Sequence, residues 1–347
     1  MGKQKLLSVV IPTYNMEDLL PRCLDSLLVD DKDLSQYLEV IIVNDGSKDS
    51  SLKIALKYQQ KHPDIFVVID KENGNYGSCI NAALSKASGL YFRILDADDY
   101  FDTLALKDLL EYIQNESTNT DIIVTNFQKD ITRGRNQVIR VENVNYKTCY
   151  DISKFNFKQY SRGMAFVMHS LTYKLKVLKE VPLVHLEKIS YTDTEYCFYP
   201  LYKCQTISFL DIVLYHYQIG RDGQTVSVSS YQKNISNLRT ILNRMLDTWI
   251  ANPPEKHIYI NQKNSFLLCA FVYYQTILTT KFSCNEDIDL IESRIASFDQ
   301  ELYTSMLSFK RSRLVPFVYI WRHLHVKSNN FMFRFIYHCI DQVKKII

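Results

Sequence analysis

Three carboxylates follow one apolar run within four residues, and they are the strongest chemical signal in the sequence. The run is Leu90–Leu95, and Asp96, Asp98 and Asp99 come directly after it. An apolar run that ends in charged residues predicts a buried strand whose end reaches the surface. Asp96 and Asp98 project to the same side of an extended segment, where like charges repel each other. A divalent cation would remove that cost because it takes oxygen ligands. The alternative is a solvated acidic turn before the helix predicted from Thr103.

The elements that must position these carboxylates alternate between strands and helices. The predicted strands are Leu6–Pro12, Tyr37–Val43, Ile65–Ile69, Leu90–Leu95 and Asp121–Phe127. The predicted helices between them are Glu17–Leu28, Lys48–Lys61, Ser78–Ala87 and Thr103–Gln114. This alternation predicts an α/β fold with a mostly parallel twisted sheet flanked by helices. Ligands bind such sheets beyond the carboxyl ends of the strands. Three polar strand ends fall on that edge: Thr13–Asn15, Asn44–Ser47 and Asp96–Asp98.

Composition excludes several classes of protein. The chain has 347 residues, of which 46% are hydrophobic and 23% charged, and its net charge of +3 is too small to indicate a nucleic-acid partner. Its eight cysteines form no C-x-x-C pair and no zinc spacing, which favours reduced thiols in the cytosol. Dinucleotide and P-loop motifs do not follow the first strand. We expect a cytoplasmic protein, because the sequence shows neither a signal peptide nor an apolar run that could span a bilayer.

The motifs together resemble those of the family 2 glycosyltransferases. The resemblance rests on four segments that occur in the family's order and spacing: Val9–Asn15, Val43–Ser47, Asn73–Asn81 and Ala87–Asp99. It covers the first third of the chain densely, is thinner around Tyr191–Glu195, and includes no motif in the last third. It implies the GT-A fold, a Rossmann-like α/β sheet, and an inverting, metal-dependent transfer of sugar from a nucleotide-sugar donor.

The resemblance also implies roles for residues on the donor side of the site. The nucleotide-sugar contacts that it implies are Pro12, Thr13, Tyr14, Asn15, Asp45, Asn81, Asp96 and Arg221. Asp45 would accept a hydrogen bond from the base, which suits the N–H of uracil and therefore a UDP donor. Asp96 would hold the ribose or reach the metal through water, and Asp98 would bind Mn²⁺ or Mg²⁺ directly, where the metal bridges the diphosphate. Many relatives carry an Arg where this chain has Ile80, so that diphosphate contact must come from elsewhere or is absent.

On the acceptor side, inverting transfer needs a base that takes the proton of the acceptor hydroxyl. The family pattern places it at Asp193, with Glu195 as the competitor. Asp193 could also be the N-cap of a helix from Thr194, and a capping residue can still lie at a cleft. His216 could complete the metal shell and Arg221 could meet the diphosphate, but each fits an ordinary packing or surface role equally well. His169 is favoured as a core histidine.

Two domains are predicted. Residues 1–230 form the GT-A nucleotide-sugar-binding and catalytic domain, and residues 231–347 form a helical C-terminal region for acceptor selection, packing or membrane association. From Lys310 onward basic and aromatic residues are interleaved, which suits peripheral contact with the inner face of a membrane. Packing of that tail on protein is the slightly favoured alternative. A homo-oligomer is left open.

The predicted function is that of an inverting glycosyltransferase. It moves a sugar from a UDP-sugar to a hydroxyl of a glycan or lipid-linked acceptor, in cell-surface polysaccharide biosynthesis. One alternative is a polyprenyl-phosphate glycosyltransferase, whose phosphate acceptor needs little help from a base. Another is a non-catalytic partner subunit with a vestigial donor site. A sugar nucleotidyltransferase is disfavoured, because Thr13–Asn15 is not a glycine-rich basic loop.

Overall fold

The computed structural model describes residues 3–115, 120–132, 134–155, 167–181, 184–220, 228–279 and 285–307, together with 318, 319 and 322. It divides into two compact units, residues 1–220 and 221–347. The first unit is built on a sheet and the described part of the second is helical.

The first unit holds a ten-stranded sheet. Its strands are β1 (Leu7–Thr13), β2 (Leu38–Asp45), β3 (Phe66–Lys71), β4 (Tyr91–Ile94), β5 (Tyr100–Phe101), β6 (Ile122–Ile131), β7 (Gln137–Ile139), β8 (Cys149–Asp151), β9 (Leu171–Lys174) and β10 (Thr206–Ile219). The order across the sheet is β3-β2-β1-β4-β9-β6-β10-β5, with β7 paired to β6 and β8 to β10.

One half of the sheet is parallel, as the alternation of strands and helices predicts. β1 pairs in parallel with β2 and β4, and β2 pairs in parallel with β3. All eight residues of β2 are buried, because helices cover both faces of such a sheet. The carboxyl ends of β1, β2 and β4 therefore lie at the same edge. This architecture confirms the predicted α/β class.

The other half of the sheet is mixed. The short strand β9 runs antiparallel between β4 and β6, and β10 pairs in parallel with β6 through two irregularities in register. β5 pairs antiparallel with Tyr215 and His216 of β10. The sheet is therefore less parallel than the sequence indicates. A four-residue strand such as β9 is too short to give a clear period, so its place follows from long-range pairing.

The helices of the first unit connect these strands. They are α1 (Leu20–Asp25), α2 (Lys32–Ser35), α3 (Ser51–Lys61), α4 (Asn75–Lys86), α5 (Thr103–Asn115), α6 (Leu175–Glu180) and α7 (Asp193–Phe198). Two short 3₁₀ turns, Met168–Ser170 and Pro200–Tyr202, complete the described elements. Helix α4 begins three residues earlier than predicted, so Asn75, Tyr76 and Gly77 form its first turn and not a loop.

The described helices of the second unit are α8 (Val228–Lys233), α9 (Ile235–Ala251), α10 (Lys256–Thr279), α11 (Asn285–Phe298) and α12 (Gln300–Ser305). Trp249 is fully buried, stacks on Phe298 with ring centroids 5.9 Å apart, and donates its indole N–H to Gln262 Oε1 at 2.8 Å. No described helix has a stretch long and apolar enough to cross a bilayer.

Most of the basic and aromatic tail lies outside the described residues. Of the described positions, Val318 is buried, and Arg322 donates to both carboxylate oxygens of Glu292 and to the carbonyl oxygen of Tyr303. Arg322 is therefore held by helix α11 and by Tyr303 of α12. These contacts support packing at this point of the tail.

Candidate active site

The three aspartates form a tight turn after β4. The N–H of Asp99 donates to the carbonyl oxygen of Asp96 at 3.0 Å, which closes the turn. Asp99 is only 1% exposed, whereas Asp96 and Asp98 are partly exposed. Residues Tyr91–Leu95 of the apolar run ahead of the turn are buried, as the sequence predicts for a buried strand. The turn therefore presents carboxylates at the carboxyl edge of the sheet.

Two tyrosines orient these carboxylates. The hydroxyl of Tyr76, in the first turn of α4, donates to Asp96 Oδ1 at 2.8 Å. The hydroxyl of Tyr215, in β10, donates to Asp99 Oδ2 at 2.7 Å, and the backbone N–H of Gln218 donates to Asp99 Oδ1 at 2.8 Å. Helix α4 and strand β10 thus fix the acidic turn from separate parts of the chain.

The acidic turn is electrostatically crowded. Burial is the main cause that raises the pKa of Asp96 to about 7, and the charge of Asp98 is the second. The hydrogen bond from Tyr76 opposes this shift. Burial and the charges of Asp96 and Asp98 raise the pKa of Asp99 well above its ordinary value. Two acids whose ionised forms are disfavoured are stabilised by a bound cation.

The residues at this turn fit a divalent metal ion. Ligand atoms of Asp96, Asp99 and His169 all lie within 4.8 Å of one another. His169 Nδ1 is buried and has no hydrogen-bond partner within the described part of the chain. Burial and the charges of Arg93 and Lys129 lower the pKa of His169 to about 3, so the ring is neutral, the form that coordinates metals. Two carboxylates and a neutral imidazole form a suitable donor set.

The predicted ligand set was Asp96, Asp98 and His216. The structure brings Asp96 together with Asp99 and His169, while Asp98 lies in the same turn and acts on both aspartates through its charge. His216 is engaged elsewhere: its Nδ1 lies 3.1 Å from Asp130 Oδ2, and its ring stacks on Tyr100 at 4.6 Å.

The loops after β1 and β2 are tied to each other. Asn15 has a positive φ of 54°, its Oδ1 accepts from the N–H of Lys48 at 2.7 Å, and its own N–H donates to Ser47 Oγ at 3.1 Å. Thr13 is buried, with its hydroxyl donating to the Ile11 carbonyl oxygen at 3.1 Å. Pro12 lies inside β1, and Tyr14 is 46% exposed. Tyr14 therefore offers an open aromatic face at the strand end, and Asn15 holds the loop.

Asp45 lies at the end of β2 and is 3% exposed. Its Oδ1 accepts from Lys71 Nζ at 2.7 Å and from the N–H of Gly74 at 2.9 Å. Lys71 was not predicted from the sequence. Lys71, at the end of β3, and Gly74, at the start of α4, both donate to the same oxygen of Asp45, so this carboxylate is fixed in place.

Asn81 and Arg221 complete the predicted donor contacts. The side chain of Asn81 bonds the backbone of His185 and the carboxylate of Glu187, on a segment that leads to Asp193. Arg221 lies outside the described residues.

Asp193 and Glu195 differ sharply in their surroundings. Asp193 is exposed and is the first residue of α7, whose N-cap is Thr192, so the prediction of Asp193 as N-cap is wrong by one residue. Its charge contributes to raising the pKa values of Asp96 and Tyr76. Glu195 is buried and accepts from the N–H of Leu186 at 2.9 Å. Asp193 is therefore the accessible carboxylate of the pair.

The sequence assigns no role to Tyr76 and favours a core role for His169. Tyr76 lies inside the Asn73–Asn81 motif, and Tyr215 lies directly beside the predicted ligand His216. No local pattern connects His169 to Asp96, because the contact depends on β9 entering the sheet beside β4.

Comparisons with known proteins agree with this geometry. Residues 8–176 match the sequence model of the family "Glycosyl transferase family 2". A poly(ribitol-phosphate) beta-glucosyltransferase from Bacillus spizizenii is 30% identical over 233 residues, which cover 64% of this chain and 34% of that protein. A hyaluronan synthase from Pasteurella multocida is 36% identical over 126 residues, which cover 36% of this chain and 13% of the synthase. The chain thus spans about a third or less of the length of these two relatives.

A solved structure shows the same fold. The crystal structure of S. aureus TarS 1–349 in complex with UDP-GlcNAc superposes with a TM-score of 0.60 at 21% identity, covering 86% of this chain and 82% of that one. At this identity the likeness establishes the GT-A architecture. A divalent metal is a general feature of that family fold, and the acidic turn offers a place for it.

Proposed function

We propose that the chain, whose residues 8–176 match the model of glycosyl transferase family 2, is an inverting glycosyltransferase that uses a UDP-sugar donor. Its acceptor is a hydroxyl of a glycan or lipid-linked glycan in cell-surface polysaccharide synthesis. The names of the relatives support this class, because one is a poly(ribitol-phosphate) beta-glucosyltransferase and the other a hyaluronan synthase. The bound UDP-GlcNAc in the TarS structure supports UDP as the nucleotide.

One observation carries the proposal: helix α4 joins an acidic turn with a metal-suited donor set, through Tyr76, to the segment that leads to the accessible carboxylate of Asp193, through Asn81. Asp96, Asp99 and His169 supply the donor set, and the charge of Asp193 reaches Asp96 from helix α7. A transferase needs these two functions near each other, since one supports the leaving diphosphate and the other accepts a proton. A simple nucleotide-binding protein needs no such base.

On the donor side, the exposed ring of Tyr14 and the fixed carboxylate of Asp45 receive the nucleobase. Asp45 accepts a hydrogen bond from the N–H of uracil through Oδ2, because Lys71 and Gly74 both bond Oδ1. Asp96, Asp99 and His169, with Asp98 beside them, would hold Mn²⁺ or Mg²⁺. The metal, when bound, offsets the negative charge that develops on the diphosphate.

On the acceptor side, Asp193 is the general base. Its carboxylate takes the proton of the acceptor hydroxyl, whose oxygen forms a bond to the anomeric carbon on the face opposite the diphosphate. The bond between that carbon and the diphosphate oxygen breaks, and UDP leaves. The surrounding protein atoms partly desolvate the carboxylate of Asp193, although the residue is exposed, and this desolvation raises its pKa toward the basicity that suits a general base.

The test is release of UDP from a panel of UDP-sugars, with GDP-mannose as the mismatched donor. We expect hydrolysis of at least one UDP-sugar to depend on added Mn²⁺ or Mg²⁺ and to stop in EDTA. We also expect that donor to raise the melting temperature in the presence of metal. Metal-independent release, or preference for GDP-mannose, would contradict the proposal, and stabilisation without any turnover would favour a partner subunit with a vestigial donor site.

A further inference from the structure

Helix α4 contacts the donor side of the site at its first turn. Further along, it contacts the segment that leads to the proposed base, Asp193. Through Gly74 and Tyr76, the first turn contacts Asp45 and Asp96. Gly77 and Asn81 contact the base-bearing segment, which we define as residues 184–193. One short helix therefore lies between the two chemical functions that the proposed reaction must bring together.

Asn81 bonds the backbone of the base-bearing segment twice. Its Nδ2 donates to the carbonyl oxygen of His185 at 2.9 Å, and its Oδ1 accepts from the N–H of the same residue at 2.9 Å. Nδ2 also donates to Glu187 Oε1 at 3.0 Å. A side-chain amide that satisfies both backbone groups of one residue fixes its position and orientation. This geometry departs from the sugar-nucleotide contact that the sequence predicts for Asn81.

The contact is close as well as polar. A Cβ on Gly77 would lie 2.1 Å from the carbonyl oxygen of Leu186, so the segment can approach α4 only because this position lacks a side chain. The N–H of Lys188 donates to the carbonyl oxygen of Gly74 at 2.6 Å. Lys188 and Tyr191 have positive φ values of 62° and 70°, so the segment adopts a conformation that tertiary contacts must support.

Glu195, which follows the segment in sequence, holds the same end of it that Asn81 contacts. Its buried carboxylate accepts from the N–H of Leu186 at 2.9 Å and lies 3.6 Å from His185 Nδ1. Asp193 lies between this anchor and the positive-φ residues, so its place depends on how the segment meets α4.

We propose that Asn81 is a positioning residue that sets the base-bearing segment, and with it Asp193, against the acidic turn. This inference rests on the proposed function for the role of Asp193, but the contact itself can be tested without activity. Loss of Asn81 leaves the donor side intact and displaces the base. Small displacements of a reacting group cost about 10- to 100-fold in rate.

The experiment compares Asn81→Ala with Asn126→Ala in the full chain. Asn126 is a matched control, because its side chain also accepts from a backbone N–H, that of Val141 at 3.1 Å, and donates to Asp211 at 2.9 Å. For Asn81→Ala we expect kcat to fall about 10- to 100-fold while the dissociation constant for the UDP-sugar stays within about twofold. Asn126→Ala keeps wild-type kcat.

A double-mutant cycle separates positioning from a general loss of structure. In the Asp193→Asn background, Asn81→Ala causes no further fall in kcat, because the base that it positions is already absent. An equal fall in both backgrounds overturns the inference. Gly77→Ala is the second variant: a methyl group there favours the helix but cannot coexist with the Leu186 carbonyl, so kcat falls although α4 is not weakened.

Hydrogen–deuterium exchange gives a readout that needs no turnover. We expect faster exchange of the amides in residues 185–193 in Asn81→Ala than in wild type or Asn126→Ala, with the rest of the sheet unchanged. Unchanged exchange in that segment overturns the inference. If the wild type releases no UDP, the proposed function fails, and the exchange result still decides whether Asn81 holds the segment.

Discussion

Two carboxylate sites in the first unit use similar residue types in opposite ways. Asp130, near the end of β6, accepts from Gln128 Nε2 at 2.6 Å, Gln218 Nε2 at 2.7 Å and the Tyr100 hydroxyl at 2.9 Å, and His216 Nδ1 lies at 3.1 Å. Burial opposes ionisation of Asp130, but the hydrogen bonds outweigh it and hold its pKa below the ordinary value. This carboxylate is satisfied by the protein alone.

The acidic turn has fewer donors and more negative charge. The described side-chain donors to Asp96 and Asp99 are the single hydroxyls of Tyr76 and Tyr215, and the pKa values of both acids are raised. Gln218 contacts both sites, with its backbone N–H on Asp99 and its side chain on Asp130. An aspartate with a tyrosine and a histidine nearby is therefore not by itself a metal site. What distinguishes the two is whether the protein's own donors balance the charge.

The largest expected effect concerns Asp193, whose charge contributes to raising the pKa of Asp96. Asp193→Asn removes the proton acceptor, so we expect kcat to fall roughly 10²–10⁴-fold while the donor dissociation constant changes little. Steady-state kinetics and calorimetry measure the two quantities. Glu195→Gln is the comparison: because Glu195 is buried and holds Leu186, we expect it mainly to lower the melting temperature. The opposite ranking would move the base to Glu195, and full activity in Asp193→Asn would favour a phosphate acceptor.

The next effect contrasts the two sites directly. Asp96→Asn and Asp99→Asn each remove a charge from the acidic turn, and we expect metal-dependent UDP release to fall roughly 10²–10³-fold. Asp130→Asn makes the same chemical change at the satisfied site and should leave release within about threefold of wild type. Asp98→Asn tests whether Asp98 binds the metal directly, as the sequence predicts: its loss of UDP release is compared with the losses in Asp96→Asn and Asp99→Asn. Equal losses in all four variants would break the contrast.

A smaller effect is the pH dependence of metal binding. Metal must displace protons from acids whose pKa values are raised, and that of Asp96 is about 7. The apparent Mn²⁺ affinity should therefore increase between pH 6 and 8, by up to about tenfold per pH unit below the pKa. Calorimetry in buffers of different ionisation enthalpy measures the protons released. A flat profile would show that the turn is already ionised without metal.

The smallest effect is on the thermal stability of the metal-free protein in EDTA. Its sign differs between substitutions at Asp96 and at Asp130. The folded pKa of Asp96 lies above the ordinary value of 3.8, so the folded state binds more protons and loses stability as pH rises from about 4 to about 7. Asp96→Asn should therefore raise the melting temperature by a few degrees at pH 8 and change it little at pH 4. Asp130 has a lowered pKa, so its ionised form stabilises the fold above pH 3.8, and Asp130→Asn should lower the melting temperature at pH 8. Thermal unfolding at both pH values checks this, and shifts of the same sign would contradict it.

The sequence predicts the parallel half of the sheet well because local patterns determine it. Buried strands such as β2 are continuous apolar runs, and the polar strand ends then meet at one edge by topology alone. The mixed half depends on pairings across long separations in sequence, such as β9 with β4, which no local period reveals. For the same reason the carboxylates of the candidate site could be predicted, whereas His169 could not.

The sequence predicts which residues lie at the site better than it predicts what each of them does there. Asn81 lies in a marked motif, but only the structure shows that it bonds the backbone of His185. His216 is a predicted metal ligand, yet in the structure its Nδ1 lies 3.1 Å from Asp130 Oδ2. Such distinctions depend on counting donors around a carboxylate in three dimensions, and spacing in sequence carries no such count.

Direct measurement of Mn²⁺ binding tests whether the acidic turn and His169 hold the cation. Calorimetric titration would compare wild type with His169→Phe and His216→Phe, which keep an aromatic ring against Tyr217 and Tyr100 while removing the ring nitrogens. We predict that His169→Phe weakens Mn²⁺ binding about 10- to 100-fold and that His216→Phe leaves it near wild type. Unchanged binding in His169→Phe together with a loss in His216→Phe would contradict the account and return the ligand to His216, as the sequence predicts.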